Sequence, residues 1–160
     1  MAKKAARRPS AAKPVLVLNG PNLNMLGKRQ PHIYGHETLA DVEKACRAEG
    51  KRLGIAVDCA QSNHEGVLVD LIQAARDRNS AIVINAGAYT HTSVALLDAL
   101  NAAELPVVEV HISNIHKREP EWRSKTILSV AATGMISVLG AEGYRLAMEF
   151  VAAKIRSSGK

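Results

Sequence analysis

The run Ala81-Ile82-Val83-Ile84 lies at the middle of the chain and is apolar at every position. A short apolar run without alternation is typical of a strand buried on both faces, as in a parallel sheet. Parallel strands need long crossover connections, which are usually helical. The run therefore predicts a central parallel strand with helical segments before and after it.

Segments of the same kind follow one another on both sides of this central strand. Further strands are predicted at residues 15–18, 55–59, 107–111 and 134–139, and helices at 38–53, 64–78, 90–103 and 140–155. Five strands that alternate with helices predict right-handed crossovers and a sheet covered on both faces. The predicted fold is thus α/β: a flavodoxin-like, doubly wound five-stranded parallel sheet with helices on both faces.

Length, composition and charge limit the class of protein. The chain has 160 residues, of which 47% are hydrophobic, and no apolar run reaches the roughly 20 residues of a membrane span. Two cysteines are too few for a disulfide framework or a cysteine-rich zinc site. One domain is expected over residues 14–160.

The net charge of +6 lies mostly in the first 13 residues, which hold five Lys and Arg and no acid. Residues 14–160 carry only one more positive than negative charge. The segment 1–13 is predicted to be a disordered basic tail without the apolar centre of a secretory signal. A solvated extension is its simpler interpretation, and an arm that binds nucleic acid is the alternative.

Polar side chains gather directly after the predicted strands, where doubly wound sheets bind their ligands. The loop after the first strand, residues 19–37, is far longer than the usual two to six residues of such a connection. Long loops at this place often serve as active-site lids. The carboxyl edge of the sheet is therefore the expected site.

Several kinds of site are excluded or disfavoured at this edge. Neither the glycine pattern of a dinucleotide site nor that of a P-loop follows the first strand. His111 and His116 lack a third metal ligand at fitting spacing, and Cys46 and Cys59 lie where packing is their expected role. Acid–base chemistry by Tyr, His, Arg and Asn remains.

Each candidate residue also has a purely structural interpretation. Glu109 and His111 lie two residues apart on one face of a strand, so the pair either stabilises the strand end or forms a general acid oriented by a carboxylate. Loop, turn and capping roles are the corresponding alternatives for Tyr34, Arg29, Asn22 and His91. A non-enzymatic module that binds a small anion or nucleotide therefore stays open as the second functional hypothesis.

Four motifs together resemble the type II 3-dehydroquinate dehydratases. They are Leu18-Asn-Gly-Pro-Asn-Leu-Asn-Met-Leu-Gly27, Gln61-Ser-Asn-His-Glu-Gly66, Asn85-Ala-Gly-Ala-Tyr-Thr-His-Thr-Ser93 and Glu109-Val-His-Ile-Ser-Asn114, with Arg29 and Tyr34 in the intervening loop. The resemblance runs from about residue 15 to 150. It implies a reversible anti elimination of water from 3-dehydroquinate through an enolate, in the shikimate or quinate pathway, with no metal or organic cofactor.

The resemblance also implies roles for individual residues. Tyr34 would be the base, with its phenolate favoured by Arg29, because a nearby guanidinium lowers the pKa of a tyrosine. Asn22 would stabilise the enolate oxygen, and His111, held by Glu109, would protonate the leaving hydroxyl. Substrate binding would fall to Asn85, Ile112 and Ser113 at the carboxylate and to His91 and Arg123 at the ring hydroxyls.

Assembly and location are further expectations from the resemblance. The family forms dodecamers of four trimers, in which Asp98 would reach the site of a neighbouring subunit and Arg118 would belong to the lid and interface. A cytoplasmic location is expected, with no nucleic-acid or membrane partner. The chain departs from the family pattern at Gln30 and within residues 118–126, where one residue is extra.

Overall fold

Five parallel strands form the centre of the molecule, in a computed structural model that describes residues 12–28, 33 and 36–158. The strands are β1 (Val15–Asn19), β2 (Val57–Gln61), β3 (Ala81–Asn85), β4 (Val107–His111) and β5 (Gly134–Ser137). Their spatial order is β2-β1-β3-β4-β5. This order is the flavodoxin-like one, so the predicted doubly wound five-stranded sheet is confirmed.

In the part of the chain that the structure describes, four α-helices cover the two faces of the sheet: α1 (Leu39–Leu53), α2 (Glu65–Arg78), α3 (Val94–Ala103) and α4 (Glu142–Ser158). Helices α1 and α4 contact one another on one face, and α2 and α3 contact one another on the other. Among the described residues, no helix combines the length and the apolar character that a membrane span requires.

The core is divided into two layers because successive side chains of a strand point to opposite faces. In β1, Val15 and Val17 pack with α1 and α4, whereas Leu16 and Leu18 pack with α2 and α3. The same alternation in β3 explains why its apolar run has no polar position. Every residue of β1, β3 and β4 is buried.

Helix α1 has clear signals at both ends. Thr38 and Asp41 form a reciprocal capping box, in which the Thr38 hydroxyl accepts from the Asp41 backbone N–H and the Asp41 carboxylate accepts from the Thr38 backbone N–H. The helix ends at Gly54, whose φ of 73° is a left-handed conformation that favours glycine. Both boundaries agree with the sequence prediction.

Several predicted boundaries were wrong by two to four residues. Strand β2 begins at Val57 rather than at residue 55, and β5 ends at Ser137 rather than at 139. Helix α3 begins at Val94 rather than at 90, because a 3₁₀ turn over Gly87–His91 precedes it and the Ser93 hydroxyl caps it at 3.0 Å from the Leu96 N.

The basic tail lies outside the described residues except for its last two, so its predicted disorder stays a prediction.

Register brings the carboxyl ends of the central strands to one level. Asn19 of β1 pairs with Gln61 of β2 on one side and with Asn85 of β3 on the other. His111 of β4 pairs with Ser137 of β5. Three polar strand ends and the histidine therefore share one edge of the sheet, which is where the sequence predicts the site.

Candidate active site

A cleft opens at this carboxyl edge, between the loop after β1 and the loop after β4. Its polar lining consists of side chains from three strand ends and one later segment: Asn22, Asn85, His111, Ser113, Arg118 and Arg123. Ile112 and the apolar residues Pro21, Leu23, Met25 and Leu26 complete the walls together with Gly87 and Ala88. Six of the predicted site residues therefore line one cleft: Asn22, Asn85, His111, Ile112, Ser113 and Arg123.

The carboxylate of Glu109 and the imidazole of His111 form a buried pair at the end of β4. His111 Nε2 lies 2.8 Å from Glu109 Oε1, and the side chains are 3% and 0% exposed. Two threonines complete the contacts of the carboxylate: Thr126 Oγ1 donates to it at 2.8 Å, and the Thr90 hydroxyl donates to the same oxygen. A buried carboxylate with three donors has its hydrogen-bonding capacity well used.

These donors determine the protonation state of Glu109. Burial alone would raise the pKa of Glu109, but the hydrogen bonds from His111, Thr90 and Thr126 outweigh it and lower the pKa below the usual value. Glu109 is therefore an anion at neutral pH and accepts a hydrogen bond from the protonated Nε2 of His111. The other ring nitrogen, Nδ1, is then the one available to transfer a proton.

Asn85 ends β3 on the opposite face of the sheet from Glu109, and both ends of its side-chain amide are engaged. Its Oδ1 accepts from the Gly87 backbone N–H at 3.2 Å, and its Nδ2 donates to the hydroxyl of Tyr144 at 2.9 Å. The side chain is 5% exposed. Because Nδ2 carries two hydrogens, one donor remains for a ligand in the cleft.

Asn22 occupies the cleft wall in an unusual backbone conformation. Its φ of 66° is left-handed, a region in which Asn is enriched among non-glycine residues. The conformation is fixed by a hydrogen bond of 3.0 Å from the Asn22 backbone N–H to Asn63 Oδ1, which also accepts from Gln61 Nε2 at 3.1 Å. The motif at residues 61–66 therefore holds the motif at residues 18–27 in place, a role that sequence analysis missed.

Arg118 belongs to the cleft and not only to the lid environment that the sequence analysis assigned to it. One Nη of its guanidinium donates to Ser113 Oγ at 2.8 Å, and the other lies 3.3 Å from His91 Nε2. Arg118 and Arg123 are both lining residues. Two guanidinium groups make the cleft attractive to a small anion.

His91 lies behind Arg118 and is not among the lining residues of the cleft. Its Nδ1 faces the backbone carbonyl of Lys125, which can only accept, so Nδ1 carries the proton and Nε2 accepts from Arg118. Burial lowers the pKa of His91, and the charge of Arg118 lowers it further. The ring also meets Trp122 edge-to-face, with the two centroids 6.0 Å apart.

Three predicted site residues that the structure describes, Glu109, His91 and Asp98, do not line this cleft, although Glu109 contacts His111, which does. Asp98 lies exposed on α3 and does not line it. Arg29 and Tyr34 lie outside the described residues, between Lys28 and His36, so their predicted roles stay predictions. Within the described part of the chain, no cluster of three or more His, Cys, Asp or Glu side chains could hold a metal ion.

Two residues that contact Glu109 directly were missed for different reasons. Thr90 lies within the third motif, so its presence was noted but its role was not. Thr126 falls in the segment with the extra residue, where the alignment to any pattern is weakest. The signal that could have found Thr126 is the need of a buried carboxylate for more than one donor.

Comparison with known proteins gives a consistent result. A family model described as "Dehydroquinase class II" matches residues 13–152. A catabolic 3-dehydroquinase of Aspergillus terreus is 55% identical over 148 residues, which cover 92% of this chain and 97% of the relative. A 3-dehydroquinate dehydratase of Methylobacterium radiotolerans is 59% identical over 138 residues, or 86% and 92% of the two chains.

A solved structure gives the same result for the fold. The crystal structure of a type II dehydroquinase from Propionibacterium acnes superposes with a TM-score of 0.85 at 42% sequence identity. The match covers 89% of this chain and 97% of that one. The fold of this chain is therefore similar to that of a solved type II dehydroquinase.

Proposed function

The chain belongs to the class II dehydroquinase family, and on that premise we propose which of its residues dehydrate 3-dehydroquinate. The enzyme is a 3-dehydroquinate dehydratase, a hydro-lyase of the shikimate or quinate pathway. Membership of an enzyme family overturns the alternative of a non-enzymatic anion-binding module.

The reaction needs a base and an acid on opposite sides of the substrate ring. The base removes a proton from the carbon beside the ketone and leaves an enolate. When the enolate collapses, a double bond forms to the neighbouring carbon, the bond from that carbon to its hydroxyl breaks, and the acid's proton turns the hydroxyl into water. A base and an acid that act at separate steps each lower one barrier.

Tyr34 is the proposed base, with Arg29 beside it in the same loop. A tyrosine with a pKa near 10 is mostly protonated at neutral pH, so its phenolate needs a neighbouring cation. The support is the resemblance of the loop to the family pattern. Met25 and Leu26, which line the cleft, precede Arg29 and Tyr34 in that loop.

His111 is the proposed acid, and Glu109 holds it in place. The support is the 2.8 Å contact from His111 Nε2 to a carboxylate that three donors keep ionised. Because Nε2 donates to Glu109, the other ring nitrogen, Nδ1, is the one that delivers a proton to the leaving hydroxyl. After the transfer, the neutral ring still donates from Nε2 to Glu109.

The remaining cleft residues are proposed to bind the substrate. Asn22 holds the enolate oxygen, directly or through water, where negative charge develops. Asn85 and the Ile112–Ser113 segment hold the carboxylate, and His91 and Arg123 hold ring hydroxyls. We also propose that Arg118 adds charge at the carboxylate, since it donates to Ser113 Oγ in the same cleft.

The assembly and location are proposed from the family. A dodecamer of four trimers would place Asp98 of one subunit at the edge of the neighbouring site, which agrees with its exposed position on α3. A cytoplasmic enzyme that needs no metal or organic cofactor, and that binds neither nucleic acid nor a membrane, is the corresponding expectation.

The buried Glu109–His111 pair that opens on a cationic cleft carries the proposal, and two substitutions test it. His111→Asn and Tyr34→Phe are each expected to lower kcat by about 10²–10⁴-fold, the usual contribution of a general acid or base. Turnover is measured by the absorbance of the conjugated enone product. The matched control is His116→Asn, an exposed histidine outside the lining of this cleft, which should leave kcat unchanged.

Two additions to the same assay test the absence of cofactor and imine chemistry. Turnover should be insensitive to a chelator, and borohydride in the presence of substrate should not inactivate the enzyme. Chelator-sensitive turnover would contradict the metal-free mechanism. Full activity of the Tyr34→Phe enzyme would remove Tyr34 from the role of base.

A further inference from the structure

Tyr144 is a fully buried tyrosine of α4 whose hydroxyl reaches the carboxyl edge of the sheet. The residue is 1% exposed and lies in the core layer between the sheet, α1 and α4. Its hydroxyl oxygen is 2.9 Å from Asn85 Nδ2 and 2.6 Å from Asn19 Oδ1. A single side chain from the last helix therefore joins the ends of the two central strands, β1 and β3.

The Gly87 N–H, Asn85, Tyr144 and Asn19 form a chain of hydrogen bonds, called the relay below. The direction of each bond in the relay follows from which atoms can donate. The Gly87 backbone N–H can only donate, so the amide end that it meets at 3.2 Å must be Asn85 Oδ1. Asn85 Nδ2 then faces Tyr144, and the tyrosine oxygen must accept from it. The one proton of the hydroxyl is left for Asn19 Oδ1, so the whole chain of bonds has one orientation.

The relay controls which atom Asn85 presents to the cleft. If the amide were turned, a carbonyl oxygen instead of a donor would face an anionic ligand, and the Gly87 N–H would lose its acceptor. Gly87 has a φ of 59° and a Cβ there would lie 2.8 Å from the Pro21 carbonyl oxygen, so this N–H cannot easily move. Asn85 is thus held from both ends.

We infer that Tyr144 is a positioning residue for substrate binding, which acts by fixing the side-chain amide of Asn85 as a hydrogen-bond donor to the substrate carboxylate. The inference rests on the proposed role of Asn85. Tyr144 itself does not line the cleft. Its contribution therefore passes through Asn85 and should appear in substrate binding more than in the chemical step.

The protonation state of Tyr144 agrees with this function. Burial raises its pKa well above the ordinary value, and the hydrogen bond from Asn85 only partly opposes that rise. The hydroxyl hence stays protonated across the working range of pH. Asn19 Nδ2 has no hydrogen-bond partner within the described residues. No other contact of the Asn19 amide therefore competes with its Oδ1 accepting from Tyr144.

The first test compares Tyr144→Phe with the wild-type enzyme. We expect KM to rise about tenfold, because the donor to a charged group is no longer held in place, while kcat stays within about threefold. A fall in kcat at unchanged KM would overturn the inference. Tm will fall in this variant as well, since buried partners of the hydroxyl are left unpaired, so the split between KM and kcat carries the result.

A double-mutant cycle shows whether Tyr144 acts through Asn85. Asn85→Ala should raise KM by itself, and adding Tyr144→Phe in that background should raise KM no further. A second rise of equal size would overturn the inference and leave the role of Asn85 intact. An unchanged KM in Asn85→Ala alone would instead overturn the proposed role of Asn85.

Two further variants separate an effect on the position of Asn85 from a general loss of folding stability. Asn79→Ala removes a buried amide, also 5% exposed, that bonds Asp58 Oδ2 at 3.1 Å at the amino edge of the sheet, so it should lower Tm with no rise in KM. If Tyr144→Phe does not fold, Asn19→Ala tests the relay from its other end. We expect a smaller rise in KM there, and an unchanged KM would count against the relay.

Discussion

Glu109 shows how a buried side chain beside the cleft keeps its charge. A carboxylate at 0% exposure would lose its charge unless hydrogen bonds replaced water. His111, Thr90 and Thr126 supply that replacement from three different segments of the chain. The two threonines are therefore positioning residues, because they fix the anion that in turn orients His111.

Replacing Thr126 tests this arrangement. Thr126→Val removes one donor to a buried carboxylate and should lower the free energy of unfolding at pH 7 by about 1.5–3 kcal/mol, the range for hydrogen bonds to charged groups. The same loss should lower kcat about tenfold, since the carboxylate that orients His111 is less well held. Urea denaturation and the enone assay measure the two effects. Thr126→Ser is the matched control and should restore most of both.

The pH dependence of the stability difference between wild type and Thr126→Val follows from the sign of the Glu109 pKa shift. The pKa of Glu109 is lowered in the folded protein, so its stabilising contribution is complete above the ordinary pKa of about 4.3 and disappears as the pH falls through the folded value. The stability difference between wild type and Thr126→Val should accordingly be largest near pH 7 and shrink below about pH 4. A difference that stays constant with pH would mean that Thr126 acts only through packing.

Residue chemistry was predictable wherever a short motif contained all the partners. Glu109 and His111 are two residues apart on one strand, so alternation alone places them on one face. Thr126 and Tyr144 are 17 and 59 residues from the side chains that they contact, and no local pattern connects them. Such contacts depend on tertiary structure, which a single sequence does not display.

The loop after β1 passes very close to the end of β3. Gly20 is buried and its N–H donates to the Asn85 carbonyl at 2.8 Å. A Cβ on Gly20 would lie 2.5 Å from the Ala86 carbonyl oxygen and 2.6 Å from the Ala86 carbonyl carbon. Both are backbone atoms, so they cannot turn away as a side chain would.

Gly20→Ala should therefore push the ends of β1 and β3 apart. We expect a loss of about 1–3 kcal/mol or more in the free energy of unfolding, the usual cost of overpacking, together with a rise in KM because Asn85 moves. Urea denaturation checks the first effect. Gly66→Ala is the control, because a Cβ there has nothing within 4 Å and lies in the first turn of α2. That variant should be neutral or slightly stabilised, and a similar loss in both would contradict the steric argument.

Element boundaries show where pattern reasoning is weakest. The type and order of the five strands and four α-helices that the structure describes followed from apolar runs and helical periodicity. The start of α3 did not, because the 3₁₀ turn at Gly87–His91 uses residues that would also suit a helix. That turn delivers Gly87 N–H to Asn85 and Thr90 to Glu109, so the site itself determines the departure from a regular helix.

At the scale of the whole molecule, two layers of the core meet at one cleft. Glu109 and His111 project to the α2–α3 side of the sheet, and Asn85 with Tyr144 lies on the α1–α4 side. The proposed acid and the proposed carboxylate site are consequently held by separate packing layers. Alternation along parallel strands was enough to predict this edge, but not which loop residues complete it.

The proposed contribution of Asp98 to a neighbouring subunit makes a prediction for the assembly as a whole. If each site combines its own Tyr34 with a partner's Asp98, then Tyr34→Phe and Asp98→Ala enzymes should both be nearly inactive alone. Mixed assemblies would contain sites with an intact Tyr34 from one variant and an intact Asp98 from the other. After dissociation, equal mixing and reassembly, about a quarter of the sites should be competent by chance.

Measured turnover in the mixture should then reach about a quarter of the wild-type value, well above the sum of the separate variants. Mixing Tyr34→Phe with His111→Asn is the matched control, since both residues are proposed to act within one subunit and no competent site can form. Equal activity in the two mixtures would show that Asp98 does not act across the interface. Because Asp98 is exposed on α3 and absent from the cleft of its own chain, recovery in the first mixture alone is the outcome that we expect.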